Sequence, residues 1–300
     1  QYYNAKEVVK FMVSKDPSSM SRDYGENFLP TKKLYIPVDK EYCIKNDVVD
    51  AKDSSKIVSR VEWTLPKSSL LKPDLLVLDM IQNSDWKRPI CFAISVSSDA
   101  YLGLGDYLQQ EGLIYRLVPV KQSYNDGLPG TVNTRIMYDN VMHKFAWGGV
   151  DKFNVYLDEN ILRMVSNLRS NFARLSNALI LEGDTTKAIE VLDKCMTVLP
   201  ERNVPYSLLM LPIAQSYYKA GAYEKGKPVV EKLFEYYLAN LKYYASLNGD
   251  IRSYYKRDIN EAVYVLAQLD DLTKTFKVDD LEKRISPAFE QYKMMYSADS

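Results

Sequence analysis

Apolar residues in the first half of the chain alternate with polar residues over several short stretches. Ile57, Val61, Trp63 and Leu65 lie two or four positions apart with mostly polar neighbours. Because successive strand side chains point to opposite faces, this spacing predicts a half-buried strand over residues 57–65. Further strands are predicted over residues 34–38, 90–96 and 113–120.

Two of these predicted strands have sequences that indicate whether they lie at the edge or in the centre of a sheet. Pro37 lies inside residues 34–38, and proline cannot donate to a strand ladder, so we predict an edge strand there. Residues 90–96 form a nearly continuous apolar run, which is typical of a central strand covered on both faces. Helices are predicted over residues 5–14, 75–81, 101–110 and 133–147. This order predicts an α+β or α/β part with a small, partly parallel mixed sheet.

The second half of the chain follows helical spacing, and one pattern occurs twice. The pattern around residues 172–183 returns around residues 210–221, so that Gly183 and Gly221 are 38 positions apart. Each glycine follows an apolar helical stretch and precedes another one. Because glycine readily adopts the left-handed backbone conformation that ends helices, both are predicted in the turn of a helical hairpin.

Small residues in both copies lie where two paired helices would cross. Ser176 and Ala214 belong to the first helix of each hairpin, and Ala188 and Gly226 belong to the second. This is the spacing of a tetratricopeptide-like helical hairpin. A third hairpin is predicted over residues 259–276 and 278–295, although it matches the pattern poorly. We therefore predict an α/β domain over residues 1–150 and a helical-repeat domain over residues 151–300.

Stacked hairpins expose a face made by their first helices, and this face is a candidate interaction groove. In the two copies we expect it to carry Asn177, Leu211, Gln215 and Tyr218. A peptide or a partner domain could bind there. The alternative is that the same face packs against the α/β part of the chain.

A candidate pocket in the α/β part combines polar side chains after two strands with an acid–imidazole pair. Ser68, Ser97 and Asp99 follow predicted strands, where α/β sheets place their ligands. Asp139 and His143 are four positions apart on the predicted helix 133–147, and such a pair can tune a general base. The alternatives are that the serines are turn or cap residues and that the pair is a structural hydrogen bond.

Charge and cysteine content exclude several classes of function. The 39 basic and 39 acidic residues balance, and residues 1–157 carry 20 and 19 of them, so no basic arm favours nucleic-acid binding. Cys43, Cys91 and Cys195 form no CxxC pair, and His143 is the single histidine. We therefore predict no metal, no cofactor and no redox dithiol.

Tyrosine is unusually frequent, with 24 residues and five adjacent pairs. On a helix, one ring of a pair can enter the core while its neighbour lies at the margin. The alternative is an aromatic surface that faces a sugar or a peptide.

Several segments together resemble a known family. They are residues 83–90 (NSDWKRPI), 101–104 (YLGL), 110–119 (QEGLIYRLVP), 137–142 (MYDNVM), 144–149 (KFAWGG) and 156–160 (YLDEN). The helix around residues 169–174 and the turn at residues 182–184 continue the likeness. The chain resembles the C-terminal part of the large DUF2723 membrane proteins of Bacteroidetes, which are similar to protein O-mannosyltransferases.

The resemblance implies a multi-spanning glycosyltransferase whose catalytic acids lie in an N-terminal membrane block. No catalytic residue is carried over from that block to this chain. We expect a piece of a longer protein, namely an extracytoplasmic, periplasmic accessory domain attached to its own N-terminal membrane domain. Its expected role is to bind or position an acceptor protein or glycan, or to brace the membrane block. The alternatives are an independent soluble enzyme with a strand-end pocket and a freestanding tetratricopeptide-like scaffold that binds peptides.

Overall fold

The computed structural model describes residues 1–14, 17–20, 28–124 and 126–297. It contains small mixed sheets in its N-terminal part and helices in its C-terminal part, as the sequence predicts. The chain divides into two compact units, Gln1–Asn140 and Val141–Ser300, called here the sheet unit and the helical unit.

The sheet unit begins with a three-stranded sheet. Its strands are β1 (Tyr3–Asn4), β2 (Lys33–Pro37) and β3 (Arg60–Thr64), in the order β1-β2-β3. β2 is parallel to β1 and antiparallel to β3, which places Leu34 opposite Trp63 and Ile36 opposite Val61. These four side chains are buried and form part of the unit's core.

The prediction that residues 34–38 form an edge strand is wrong, because β2 is the central strand. Pro37 is the last residue of β2 and lies opposite Arg60 of β3. β1 pairs with Leu34 and Tyr35 alone, so the proline faces no ladder on that side. A proline at the end of a strand costs no ladder hydrogen bond when its second neighbour is this short.

A second sheet has four strands and lies later in the chain. They are β4 (Cys91–Ala93), β5 (Leu108–Gln110), β6 (Ile114–Leu117) and β7 (Thr131–Val132), in the order β4-β6-β5-β7. The prediction of a central strand over residues 90–96 is wrong, since β4 lies at an edge and exposes Cys91 and Ala93. With two separate and mostly antiparallel sheets, the strands do not share one carboxyl edge where ligands could collect.

The prediction of a helix over residues 101–110 is also wrong. This segment contains two short 3₁₀ turns, Ser98–Tyr101 and Gly105–Tyr107, followed directly by β5. Leu102 and Gly103 have positive φ angles of 51° and 87°. A side chain at Gly103 would place its Cβ 2.4 Å from the carbonyl oxygen of Thr64, so the chain turns tightly against the end of β3.

Among the residues that the structure describes, four α-helices complete the sheet unit. They are α1 (Ala5–Met12), α2 (Lys40–Lys45), α3 (Lys72–Asn83) and α4 (Thr134–Asp139). α1 buries one apolar stripe and packs against α3 and β2. Asn4, Asp39 and Asn133 cap α1, α2 and α4 with a side-chain oxygen, as residues of these types commonly do.

The predicted single helix over residues 133–147 is wrong in its second half. α4 ends at Asp139, and Asn140–Lys144 continue as a π-helical turn. The π-helical turn ends at Lys144, so the helical pattern stops three residues before the predicted end at residue 147.

Up to residue 297, the helical unit consists of three helical hairpins and one short helix. Its helices are α5 (Glu159–Leu181), α6 (Thr185–Val198), α7 (Leu211–Lys219), α8 (Tyr223–Ser246), α9 (Gly249–Tyr254), α10 (Lys256–Thr275) and α11 (Asp279–Ser297). The pairs α5/α6, α7/α8 and α10/α11 pack as hairpins, while α5 also contacts α7, and α8 contacts α10. This is the stacking of a tetratricopeptide-like repeat.

The predicted hairpin turns and helix crossings are confirmed. Gly183 and Gly221 have φ angles of 83° and 78°, and each lies just after the first helix of its hairpin. Ser176 and Ala188 are both fully buried, and the Ser176 Oγ donates to the Ala188 carbonyl oxygen at 3.3 Å. Such contact between a side chain and the facing backbone requires small residues at the crossing.

Candidate interaction surfaces

The predicted strand-end residues lie on the surface of the sheet unit and belong to different sheets. Ser68 follows β3, is exposed and accepts a hydrogen bond from Lys32 Nζ at 3.1 Å. Ser97 and Asp99 follow β4, and both are exposed. Ser97 precedes a 3₁₀ turn whose first residues include Asp99. The structure therefore gives these three residues separate positions after two strands of two sheets.

The predicted pair of Asp139 and His143 lies where α4 passes into the π-helical turn. Asp139 is the last residue of α4 and is half-buried, whereas His143 lies in the π-helical turn and is exposed. Trp147 follows the end of this turn, and its ring stacks on Phe172 of α5 with centroids 5.5 Å apart. The indole is therefore part of the helical unit's packing.

The four predicted groove residues differ in their exposure. Asn177 of α5 and Gln215 of α7 are half-buried, so part of each amide faces outward. Leu211 and Tyr218, also on α7, are 5% and 1% exposed. The side chains of Leu211 and Tyr218 therefore serve packing, and Asn177 and Gln215 are the two candidates that stay partly exposed.

Tyr218 is buried because Gly226 leaves space for its ring. A Cβ at position 226 would lie 2.7 Å from Tyr218 Cε2 and 3.2 Å from the Cβ of Tyr217. The sequence predicts a small residue at position 226 without indicating which side chain fills the space. Tyr217 and Tyr218 are thus both buried, contrary to the expectation that one ring of a pair stays at the margin. Tyr236 and Tyr237 do follow that expectation, with 50% and 3% exposure.

A cleft of about 460 Å³ lies beside Tyr218, at the turns of the second and third hairpins. The Tyr218 ring contacts Tyr223 and Phe276, with centroids 5.5 and 5.4 Å away. The Tyr218 hydroxyl is buried and has no hydrogen-bond partner among the described residues. Burial raises its pKa to about 12, and the nearby carboxylates, Asp280 first, add to the effect. The phenol therefore stays protonated and can donate a hydrogen bond.

Charged residues of both signs complete this cleft. Lys227 and Asp280 form an ion pair at 2.5 Å. The remaining charged lining residues are Glu224, Lys277 and Asp279. Ring faces, an ion pair and a protonated phenol can bind a ligand by van der Waals contact and hydrogen bonding.

Buried tyrosine hydroxyls bind carboxylates between neighbouring hairpins. Tyr217 of α7 donates to Asp193 Oδ1 of α6 at 3.0 Å, and Lys225 of α8 binds the other oxygen at 2.6 Å. Tyr237 of α8 donates to Glu261 Oε1 of α10 at 2.9 Å. Burial and the adjacent carboxylates raise the pKa of both phenols, so they remain donors. Tyr217 and Tyr237 thus place their rings in the core and their hydroxyls against carboxylates at its margin.

Arg169 of α5 is a buried cation that the site predictions missed. It is 1% exposed, and its guanidinium donates to the carbonyl oxygens of Pro205 at 2.8 Å, Leu199 at 3.4 Å and Val204. The guanidinium also lies over the Tyr206 ring, 5.5 Å from its centroid. Burial lowers the pKa of Arg169. The cation thereby fixes the loop that joins the first hairpin to the second.

The sequence indicates that Arg169 lies on the apolar side of its helix, although hydrophobic periodicity alone does not predict what a charged residue does there. Val165 and Phe172 are four positions before and three positions after it, which places the arginine on the inward stripe of α5. A charge on such a stripe indicates either a kink or a buried cation bound by backbone oxygens. The carbonyl partners, however, lie 30 or more positions away and could not be read from the sequence.

Metal-binding clusters and membrane-spanning helices are both absent from the residues that the structure describes. Within this part of the chain, no group of three or more His, Cys, Asp and Glu side chains is arranged to hold a metal ion. None of the described helices combines the length and the apolar character needed to cross a bilayer.

Comparison with models of known protein families gives a match to the sheet unit. Residues 1–136 match the family model described as TMEM260-associated domain 2. The match spans nearly all of the sheet unit, stops before the helical unit and covers less than half of the chain. Its description names TMEM260 and not the DUF2723 proteins whose segments the chain resembles. Comparison with curated proteins and with solved structures found no match. The sheet unit is therefore similar to a domain described as associated with TMEM260.

Proposed function

We propose that this chain is a non-catalytic accessory part of a membrane glycosyltransferase similar to protein O-mannosyltransferases. In this proposal it lies on the extracytoplasmic side and is attached to an N-terminal membrane block of the same protein. Its role is to position the acceptor protein for sugar transfer or to brace the membrane block.

The match of residues 1–136 to a TMEM260-associated domain is the observation that carries this proposal. A domain described by its association with another protein favours an accessory role over an independent enzyme. The segments that resemble the C-terminal part of DUF2723 proteins extend the same argument beyond residue 136, into the helical unit.

The arrangement of side chains also favours recognition over bond-making. The candidate residues Ser68, Ser97 and Asp99 are exposed and belong to connections of two different sheets. The helical unit, in contrast, offers half-buried amides on its first helices and a cleft with ring faces and charges of both signs. Stacked helical hairpins commonly use such surfaces to bind other proteins.

Deleting this chain from the full-length protein tests the proposal. Sugar transfer from a polyprenyl-linked donor is measured with a short peptide acceptor and with a folded acceptor protein. We expect transfer to the folded acceptor to fall while transfer to the short peptide is retained, because positioning matters most for a large substrate. A loss of both activities together with a less stable membrane block would support the bracing role instead.

Unchanged transfer to both acceptors after deletion would contradict the proposal. The triple variant Ser68→Ala, Ser97→Ala and Asp99→Asn in the full-length protein is the matched control. It removes the strand-end polar groups without disturbing buried residues and should leave both activities unchanged. If this variant loses transfer, the strand-end residues take part in the chemistry, and the alternative of an enzymatic pocket gains support.

A further inference from the structure

The cleft beside Tyr218 contains a buried hydrogen-bond donor that the chain itself does not use. Tyr218 is 1% exposed, and its hydroxyl has no acceptor among the described residues. Tyr217 and Tyr237, in contrast, both donate to carboxylates. A buried hydroxyl without a partner destabilises a fold, and an acceptor supplied from outside the chain removes this penalty. Among these three buried phenols, Tyr218 is therefore the one available to a ligand.

The Tyr218 hydroxyl is directed toward the cleft. One edge of its ring lies against Gly226, where a Cβ would be 2.7 Å from Cε2 and 2.8 Å from Cδ2. Burial is the main cause of the raised pKa of the phenol, and the carboxylates of Asp280, Glu231 and Glu224 add to it. Two of these three carboxylates line the cleft. They lie near the hydroxyl, although neither accepts a hydrogen bond from it.

Unpaired carboxylates outnumber unpaired ammonium groups in the lining of this cleft. Lys227 and Asp280 neutralise each other in their ion pair at 2.5 Å. The remaining charges belong to Glu224, Asp279 and Lys277, which are all exposed. Within the described part of the chain, Glu224 and Asp279 form no ion pair. The excess charge is negative, which disfavours an anionic ligand and favours a ligand with a basic group.

Aromatic rings border the same cleft. The rings of Tyr223 and Phe276 have centroids 6.4 Å apart, and each ring also contacts Tyr218. Tyr223 is 48% exposed and Phe276 is half-buried, so both present surface to a ligand. Ammonium and guanidinium groups bind to the faces of such rings, and the planar guanidinium of arginine also stacks on them. Rings next to carboxylates therefore suit a basic side chain.

We propose that this cleft binds a peptide segment that carries a basic side chain. The Tyr218 hydroxyl donates to a backbone carbonyl oxygen of the peptide, which is neutral and so is not repelled by the carboxylates nearby. The basic group lies on the aromatic rings, close to the carboxylates of Glu224 and Asp279. The volume of about 460 Å³ is within the range of ligand sites.

The Tyr218 hydroxyl is covered in the free chain, so binding includes the movement of a side chain. Tyr223 is placed to move, because it contacts the Tyr218 ring and about half of its surface is exposed. Rotation of this one ring exposes the donor and leaves both hairpins intact.

Three capped pentapeptides, in which glycine alternates with arginine, glutamine or glutamate, test the class of ligand. Ligand-observed NMR titration with the purified chain measures the Kd of each peptide. We expect the arginine peptide to bind about fivefold more tightly than the glutamine peptide, and the glutamate peptide to bind most weakly. An arginine peptide that binds no more tightly than the other two, or that does not bind, would overturn the proposal.

Two neighbouring tyrosine variants connect peptide binding to the unused donor. Tyr218→Phe removes only the hydroxyl and should weaken binding of the arginine peptide about fivefold. Its thermal midpoint should not fall, because the free chain loses no hydrogen bond. Tyr217→Phe is the matched control, since it removes the hydroxyl that donates to Asp193 and should lower the midpoint while binding is unchanged. Unchanged binding by Tyr218→Phe, or an equal fall of both midpoints, would overturn the role of this hydroxyl.

Charge removal connects the choice of peptide to this cleft. The double variant Glu224→Gln and Asp279→Asn should lose most of the preference for the arginine peptide over the glutamine peptide. Glu159→Gln is the control, because Glu159 is also an exposed acid in the first turn of a helix, and it should keep the preference. A double variant with the wild-type preference would overturn the assignment to this cleft.

This inference rests on the recognition role in the proposed function, because it names the chemistry of a segment that the helical unit binds. The two can still fail separately. Impaired sugar transfer after deletion of the chain, without binding of the arginine peptide, would overturn this inference alone. Binding of the peptide with unchanged sugar transfer after deletion would overturn the proposed function alone.

Discussion

The helical unit and the sheet unit use their buried polar groups in different ways. In the helical unit such groups bind backbone oxygens at a loop or a crossing, as Arg169 does with the connection between hairpins and Ser176 does with Ala188. In the sheet unit they belong to a row on one face of the second sheet, where Gln109 and Thr131 are buried, Arg116 is half-buried and Cys91 is exposed. The register pairs Cys91 with Arg116, Arg116 with Gln109, and Gln109 with Thr131.

The two units also differ in how far apart in sequence the interacting residues lie. The crossing residues of a hairpin are 12 positions apart, because Ser176 and Ala188 belong to consecutive helices. The polar row, in contrast, is assembled from four strands between residues 91 and 131. We therefore expect a substitution in the helical unit to act through one hairpin or one loop, and a substitution in the sheet unit to disturb several strands.

The largest expected effect follows removal of the buried cation. Arg169→Ala leaves the carbonyl oxygens of the loop after α6 without a donor and should lower the free energy of unfolding by about 3–5 kcal/mol. Arg169→Lys keeps the charge, but an ammonium group cannot reach several carbonyl oxygens as a planar guanidinium does. We therefore expect a smaller loss of unfolding free energy than for Arg169→Ala. Denaturant unfolding measures the loss of unfolding free energy, and amide hydrogen exchange shows whether the loss is located in residues 141–297.

Arg163→Ala is the control for this prediction, since Arg163 is an exposed residue on the same helix. It should change stability by less than about 0.5 kcal/mol. Equal effects of the two alanine variants would mean that the guanidinium contacts do not stabilise the loop.

A clash in the sheet unit should have the next largest effect. A Cβ at Gly130 would lie 1.7 Å from the Leu108 carbonyl oxygen, and Gly130 has a φ angle of 59°. Gly130→Ala should therefore cost about 3 kcal/mol and reduce amide protection in both β5 and β7. Gly127→Ala is the matched control, because Gly127 has a φ angle of 74° and nothing within 4 Å of its Cβ position. If the two variants are equally destabilised, backbone strain alone accounts for the loss.

A smaller loss is expected at the crossing of the second hairpin. Gly226→Ala brings a methyl group against the buried ring of Tyr218 but gains helix propensity of about 1 kcal/mol. The clash should prevail and leave a net loss of about 1–2 kcal/mol in thermal or denaturant unfolding. Gly249→Ala, at a helical position with open space, should be neutral or stabilising. A stabilised Gly226→Ala variant would show that the ring has room to move.

The smallest effect is a pH dependence in the sheet unit. Burial raises the pKa of Glu111, although Arg116, with Nη1 at 3.6 Å from the carboxylate, partly opposes this. Because the folded pKa is the higher one, the stabilising contribution of Glu111 is present below its unfolded pKa and is lost as pH rises through the folded pKa. Glu111→Gln should remove this loss, so its stability relative to the wild-type chain should increase with pH across that window.

Denaturant unfolding at several pH values between acid and neutral measures the Glu111 effect. Glu41→Gln changes an exposed carboxyl group of α2 and is the control. A stability difference for Glu111→Gln that stays constant or falls as pH rises would show that burial does not dominate at this carboxyl group.

The sequence predicted the helical unit better than the sheet unit for physical reasons. Gly183 and Gly221 terminate helices by their own backbone preference, and the apolar stripe of each helix is local, so the hairpins could be read directly. Residues 101–110 have helical spacing, yet tertiary contacts make them turns and a strand. β5 is buried between β6 and β7, and Gly103 turns tightly against Thr64, which lies 39 positions earlier.

The candidate sites were less predictable than the fold. Asn177 and Gln215 do lie partly exposed on the first helices, but burial of Tyr218 depends on the absence of a side chain at Gly226. The cleft beside Tyr218 also takes Phe276 and Asp280 from the third hairpin, and no local sequence pattern predicts that such distant residues meet.

The central claim is that this chain recognises a partner and does not transfer sugar itself. Its most direct test incubates the purified chain with a polyprenyl-linked sugar donor and an acceptor protein, with the full-length enzyme as the positive control. The account predicts binding of the acceptor protein without consumption of the donor. Donor turnover by the isolated chain would contradict it.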